Sequence, residues 1–184
     1  MWHCGPVAAF IEEEVIRWLC DLVGYGPGSF GLCTSGGVMA NFIAMALVRD
    51  IHLRASRART GLRGAALEGA RVYTGDQTHF LDRPRPRRLG PPETLVVLPT
   101  DDAYRLHAEP VADAIAADQA RGLGPVAICA ICGLDEHGIG RLGARTWRAG
   151  AQGPLVPVDA AYGGAAGLPS AMRRACPASS SPTR

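Results

Sequence analysis

The sequence predicts an α/β protein with a mainly parallel sheet, and three observations carry that expectation. Four short apolar runs, "RVYTG" (71–75), "TLVVLP" (94–99), "PVAICAI" (125–131) and "PLVPVD" (154–159), alternate with longer stretches of helical spacing. The 184 residues, 47% of them apolar, are enough to build one sizeable core. Finally, the last run closes on a lone acid, Asp159, at a strand's C-terminal end, which is where open parallel sheets bind ligands.

The elements follow in order. From Val7 to Val23, the residues Val7, Phe10, Ile11, Val15, Trp18, Leu19 and Leu22 recur at helical spacing, with Glu12, Glu13 and Arg17 opposite them. "GYGPG" (24–28) ends that helix. A short apolar piece, "FGLC", meets "TSGG" (34–37), and "VMANFIAMALVRDIHLRA" then reads as a long, largely buried helix. Val111–Arg121 is a further helix, expected to keep Asp113 and Asp118 on its outer side. The Arg-rich stretch 54–63 reads as a solvated helix end and loop, or as an anion patch. Pro84 and Pro86 in "RPRPRR" would break any helix begun near Thr78. No internal repeat is visible.

Charge and composition narrow the function classes. A formal net charge of +2 gives no support to nucleic acid or a membrane surface as the main partner. No apolar run reaches transmembrane length, and "MWHCGPVAAF" lacks the basic start of a secretory leader. Six scattered Cys without a small-scaffold pattern point to a reduced, cytoplasmic chain. Cys129 and Cys132 form a C-x-x-C, but inside a strand their side chains point to opposite faces, which favours core packing over a redox or metal site. All 19 basic residues are Arg, and the chain holds no Lys.

Three stretches bear on chemistry. In "CTSGGVMAN", Gly36 and Gly37 sit at a helix start, where free N–H groups and the helix dipole favour a phosphate; an ordinary turn is the plainer reading. His79, in "TGDQTHF" just after a strand, is either a structural imidazole or a functional one. In "VPVDAAYGG", the Asp159 carboxylate could pair with a protonated ring nitrogen, and the small residues after it would leave room for a flat ring.

"TSGG", "DQTHF", "GLGPVAI" and "VPVDAAYGG", in this order, resemble the pyridoxal-phosphate-dependent decarboxylases of group II, which act on aromatic amino acids, glutamate and related amino acids. The resemblance extends from "PVAAFIEEEVIRWLCDLVG" to "GLPSAMRR". It implies the large domain of a fold-type-I, aspartate-aminotransferase-like enzyme working as a homodimer on an amino-acid substrate. It implies pyridoxal 5′-phosphate as cofactor, with Gly36 and Gly37 on the phosphate and His79 stacked on the ring. By the same resemblance Asp159 holds the ring nitrogen protonated, and Ala161 packs against the ring face.

Several positions depart from the family's pattern. The family's Schiff-base Lys, usually in an Asn/Asp-Pro-His-Lys context, has no counterpart in a chain without Lys. Val38 and Met39 stand where a Ser/Thr and a Glu are usual, Gly133-Leu134-Asp135 replaces Gly-Thr-Thr, and Pro157 replaces a His. The expectation is therefore a partial large domain over 1–174, without the family's N-terminal segment and C-terminal small domain, and inactive as it stands. Residues 175–184, "ACPASSSPTR", leave the pattern. They read either as a disordered terminus or as a frame shift: back-translated with permitted, mostly GC-rich codons and read two bases later, 177–184 gives Gly-Ile-Glu-Leu-Ala-Asp-Ser, which resembles family sequence.

Overall fold

The computed structural model describes residues 5–23, 25–60, 69–78, 92–132 and 154–164, the side chains of 52–60 and 92 excepted. His79, Pro84, Pro86, Gly133–Asp135 and the stretch 175–184 lie outside the described residues.

Helix α1 (Pro6–Val23) is followed by α2 (Gly37–Thr60), β1 (Ala70–Gly75), a 3-10 turn at Pro92–Thr94 and β2 (Leu95–Leu98). Helix α3 (Ala108–Ala120), β3 (Gly124–Ile131) and the short β4 (Val158–Asp159) complete the order. The four strands line up as β2-β1-β3-β4, and every pairing is parallel. The expected α/β class with a parallel sheet is what the chain forms. The "PLVPVD" run pairs with β3 over more than its two formal strand residues. The Leu155 N–H donates to Val126, and the carbonyls of Leu155 and Pro157 accept from Ile128 and Ala130 at 2.9 and 3.0 Å. Pro157 has no N–H to give, so it joins the sheet through its carbonyl alone.

Strand periodicity sends successive side chains to opposite faces, and each face finds its own helix. On one side, Met45 and Val48 of α2 pack on Ala70, Val72, Val126, Ala127 and Cys129. On the other, Val111 of α3 packs on Tyr73 and Ile128, closed round by Val96, Leu98, Leu106, Ile115 and Val156. Cys129 is thus a core residue, as its strand position predicted, with its Sγ 3.3 Å from the Met45 sulfur. Among the described residues, no group of three His, Cys, Asp or Glu converges as metal ligands would.

Two expectations fail, each for a physical reason, and one helix packs in a way the sequence did not address. Asp118 is not on the outside of α3: it is 7% exposed and faces β1. The Tyr73 hydroxyl donates to its carboxylate at 2.9 Å, and Arg121 and Arg71 stand 3.3 and 3.5 Å away. Three groups around one carboxylate make burial tolerable. Helix α2 is not largely buried, because one sheet face covers only the stripe through Met45 and Val48; Val38, Met39, Phe42, Leu47 and Ile51 stay exposed. Helix α1 has the predicted span but buries none of its residues. Its less exposed stripe, Ala9, Glu12, Ile16 and Cys20, faces the chain that follows it, where Ile16 lies against Gly31 and Glu12 accepts the Cys33 N–H at 2.8 Å.

The core carries a pH dependence. Burial pushes the Cys129 thiol from 9.0 up to about 12, and burial, then the bond to Asp118, raises the Tyr73 phenol above its ordinary 10.0. The unfolded chain therefore loses these protons before the folded one does. Folding free energy is fully present below pH 9.0 and declines as the pH rises past 9.0 and then 10.0. Urea midpoints should fall across this range, and Cys129→Ala should remove the first part of the fall. A flat profile would contradict the buried placement of both groups.

Candidate cofactor site at the C-terminal edge of the sheet

The parallel strands deliver their C-terminal ends to one edge, and three chain segments bear on the site there. The first is the approach to α2 itself. The Thr34 hydroxyl donates to the Gly36 carbonyl at 3.1 Å, and the same carbonyl accepts the Met39 and Ala40 N–H groups at 3.0 and 3.1 Å. Gly36 has φ 150, a conformation that favours glycine. The first N–H groups of a helix have no partner within it, so this end offers donors together with the positive end of the dipole. A Cβ added at Gly36 or Gly37 would meet no heavy atom within 4 Å, so the space before the helix is open.

The second segment follows β4. Asp159 pairs in register with Ile131, and its carbonyl accepts the Cys132 N–H at 2.7 Å. The Ala161 N–H donates to Asp159 Oδ1 at 3.1 Å, and the Asn41 side-chain amide donates to Oδ2 at 2.6 Å. Asn41 lies one helical turn beyond Gly37, so a single side chain ties the start of α2 to the acid on β4. Sequence reasoning passed over Asn41. The available signal was an amide in an apolar helix, a residue that costs about 0.5 kcal/mol against Ala unless it bonds something.

The turn after Asp159 explains the run of small residues in a way the sequence did not. The Gly163 N–H donates to the Cys132 carbonyl at 2.6 Å, and a Cβ at Gly163 would lie 2.2 Å from that same oxygen. The neighbour that forbids a side chain at Gly163 is backbone, not a ring. Ala161 is exposed and contributes its N–H to the described arrangement. Gly163→Ala should cost about 1–3 kcal/mol through overpacking against an immovable carbonyl. Gly164→Ala meets only the Ala160 methyl, at 3.1 Å, and should cost less. Thermal midpoints of the two variants check this; equal losses would be the wrong result.

The third segment leaves β1. The buried hydroxyls of Thr74 and Thr78 bond each other and the carbonyls of Cys129 and Gly75, while Thr100 donates to Asp76 at 2.8 Å. These bonds fix the chain up to Thr78; His79, the expected stacking residue, lies outside the described residues. Behind Thr100, Asp101 accepts the Ala103 and Arg105 N–H groups and the Arg105 and His107 side chains. Those bonds, Arg105 foremost, hold its carboxyl well below the usual range.

A phosphorylated pyridine cofactor fits part of this donor set. Gly36 and Gly37 lie at an open, donor-rich helix end of the kind that can receive a phosphate. An ionised carboxylate has about four acceptor positions, so Asp159 can receive a ring N–H beside Asn41 and Ala161. The covalent half does not fit, since no Lys exists in the chain.

No protein-family model matches the chain. It is 26% identical to L-2,4-diaminobutyrate decarboxylase of Acinetobacter baumannii over 94% of this chain and 36% of that protein. Tryptophan decarboxylase 1 of Oryza sativa subsp. japonica is 31% identical over 90% of this chain and 34% of that protein. Among solved structures, the glutamate decarboxylase domain of a Vibrio parahaemolyticus diaminobutyrate-pyruvate transaminase and L-2,4-diaminobutyrate decarboxylase superposes with a TM-score of 0.79. It is 26% identical and covers 95% of this chain and 39% of that one. The Oryza sativa TDC solved with PLP has a TM-score of 0.75 at 26% identity, over 95% and 39% of the two chains. The chain thus spans about a third of the length of the curated relatives it matches. Sequence, parallel-sheet fold and relatives point the same way: over most of its length the chain is similar to the group II pyridoxal-phosphate-dependent decarboxylases.

Proposed function

We propose that this polypeptide carries the non-covalent part of the cofactor seat of an amino-acid decarboxylase, a carboxy-lyase that releases CO2 from an L-amino acid. As it stands, it binds pyridoxal 5′-phosphate weakly and does not turn over. The observation that carries the reading is the 2.6 Å bond from Asn41 to Asp159, which joins the two halves of a seat for a phosphorylated pyridine. The cofactor, when bound, supplies an electron-withdrawing ring that takes up the electron pair left by departing CO2. The chain's own residues hold it. Gly36 and Gly37 present backbone N–H groups to the phosphate, and Asp159 accepts the ring N–H and keeps the proton on that nitrogen. In this reading His79 stacks on the ring and Ala161 lies against its face.

The reading places the chain in the cytoplasm as half of a homodimer. The absence of disulfides among the described cysteines supports the first, and the uncovered apolar side of α1 the second. Among the described residues, no helix is long and apolar enough to cross a membrane. The same face of α1 favours one alternative, an inactive subunit that pairs with an active, Lys-bearing homologue. Co-purification with such a homologue, and not with a second copy, would select it.

The covalent claim is tested directly. The chain is mixed with pyridoxal 5′-phosphate, reduced with borohydride and weighed intact. The expected result is no addition beyond the N-terminal amine. Stoichiometric labelling at any other position overturns the reading.

A further inference from the structure

We propose that Asn41 is a positioning residue for Asp159, so that the helix receiving the cofactor's phosphate also sets the acid receiving its ring nitrogen. The proposal rests on the cofactor reading above.

Asp159 is held by two donors on two different oxygens. The Ala161 N–H takes Oδ1 at 3.1 Å, from the acid's own turn, and Asn41 takes Oδ2 at 2.6 Å, from a residue 118 positions away. With the local N–H alone, the carboxylate could swing about its Cβ–Cγ bond. The second donor fixes its plane. The orientation of the amide is not in doubt, because only its NH2 end can face an ionised carboxylate. A neutral amide also orients the acid without cancelling its charge. An Arg in the same place would neutralise Asp159 and compete with a cationic ring N–H for it.

Asn41 stands four residues from Gly37 on one continuous helix, about 6 Å along its axis. A helix moves as a unit over such a distance. An anion drawn to the first turn of α2 therefore moves or steadies the amide that fixes Asp159. The phosphate end and the nitrogen end of the seat are linked through one turn of helix and one hydrogen bond. Leaving β4 to hold the acid alone would not do this, because that strand is short and bonded to β3, not to α2.

The test uses the full chain and pyridoxamine 5′-phosphate, which needs no Lys. Absorbance against pH reports where the bound ring nitrogen gives up its proton, and the same titrations give the dissociation constant. On the unaltered chain the nitrogen should keep its proton to higher pH than in free pyridoxamine 5′-phosphate. In Asn41→Leu, which has similar size and no donor, that shift should shrink by about one pH unit and affinity should fall about tenfold. Asn41→Gln, which keeps the amide, should recover part of both. Competition by inorganic phosphate should be unchanged, since the helix end is intact. If Asn41→Leu fails to fold, Asn41→Ala, which also lacks a donor, is read by the same criterion. Unaltered nitrogen titration in the donor-less variant, while Asp159→Asn abolishes the shift, overturns the proposal and leaves the cofactor reading standing. No saturable binding by the unaltered chain, or no effect of Asp159→Asn, overturns the cofactor reading and the proposal with it.

Discussion

Replacing Asp118 with Ala is expected to lower the unfolding free energy by about 3–5 kcal/mol, the cost of removing one partner from a buried charged cluster. A domain's whole stability is about 5–15 kcal/mol, so this single change should leave little of the fold. Asp118 joins α3 to the sheet: it takes the Tyr73 hydroxyl from β1 and lies within ion-pair distance of Arg71 and Arg121. Without it, the hydroxyl of the fully buried Tyr73 loses its acceptor and the nearly buried Arg71 guanidinium loses its counter-charge. Graded variants separate these losses. Asp118→Asn keeps an acceptor for Tyr73 but no charge for the arginines, and should fall between Ala and the unaltered chain. Tyr73→Phe removes one hydroxyl and should cost about 1 kcal/mol. Urea unfolding followed by far-ultraviolet circular dichroism gives the ranking. Asp118→Ala unfolding at the same urea concentration as the unaltered chain would show that the cluster does not hold α3 to the sheet.

Asp118 also shows how much of the chain could be read without coordinates. Strand positions were legible because Val72, Val96 and Ile128 sit in short runs bounded by Gly and Pro, and the parallel class followed from the helices between them. Asp118 was misplaced although its spacing was informative: Val111, Ile115 and Asp118 fall on one helical face. Residue type outweighed position, because a carboxylate inside a core is tolerable only with partners, and those partners lie far away in sequence at Arg71 and Tyr73. Asn41 was missed for the same reason, its partner being 118 residues distant. Gly163 was legible as a position needing no side chain, yet the cause, the Cys132 carbonyl, is a tertiary contact. Periodicity gives the face of an element; it does not give what covers that face.

That distinction governs the second large effect. The chain is expected to self-associate through α1, and the double variant Phe10→Glu, Trp18→Glu is expected to release a smaller species. An 18-residue helix is marginal by itself in water and depends on packing its apolar side. Helix α1 buries none of its residues within the chain. Phe10 is 73% and Trp18 62% exposed, with Val7, Ile11, Leu19 and Leu22 on the same side. The polar side is already engaged, by Glu12 with the Cys33 N–H and by Arg17 with Glu13 and Glu14. Contiguous apolar surface of this kind marks an interaction face or an aggregation hazard. Burying one large apolar side chain is worth about 1.5–3 kcal/mol. Losing two from an interface should therefore weaken association about a hundredfold or more, at 1.4 kcal/mol for each factor of ten. Size-exclusion chromatography with light scattering reads the mass, and circular dichroism confirms that α2, α3 and the sheet persist in the variant. An unaltered chain that elutes as a monodisperse monomer at micromolar concentration would contradict the expectation. A double variant that stays as large as its parent would place the contact elsewhere, on the exposed Val38, Met39 and Phe42 at the start of α2.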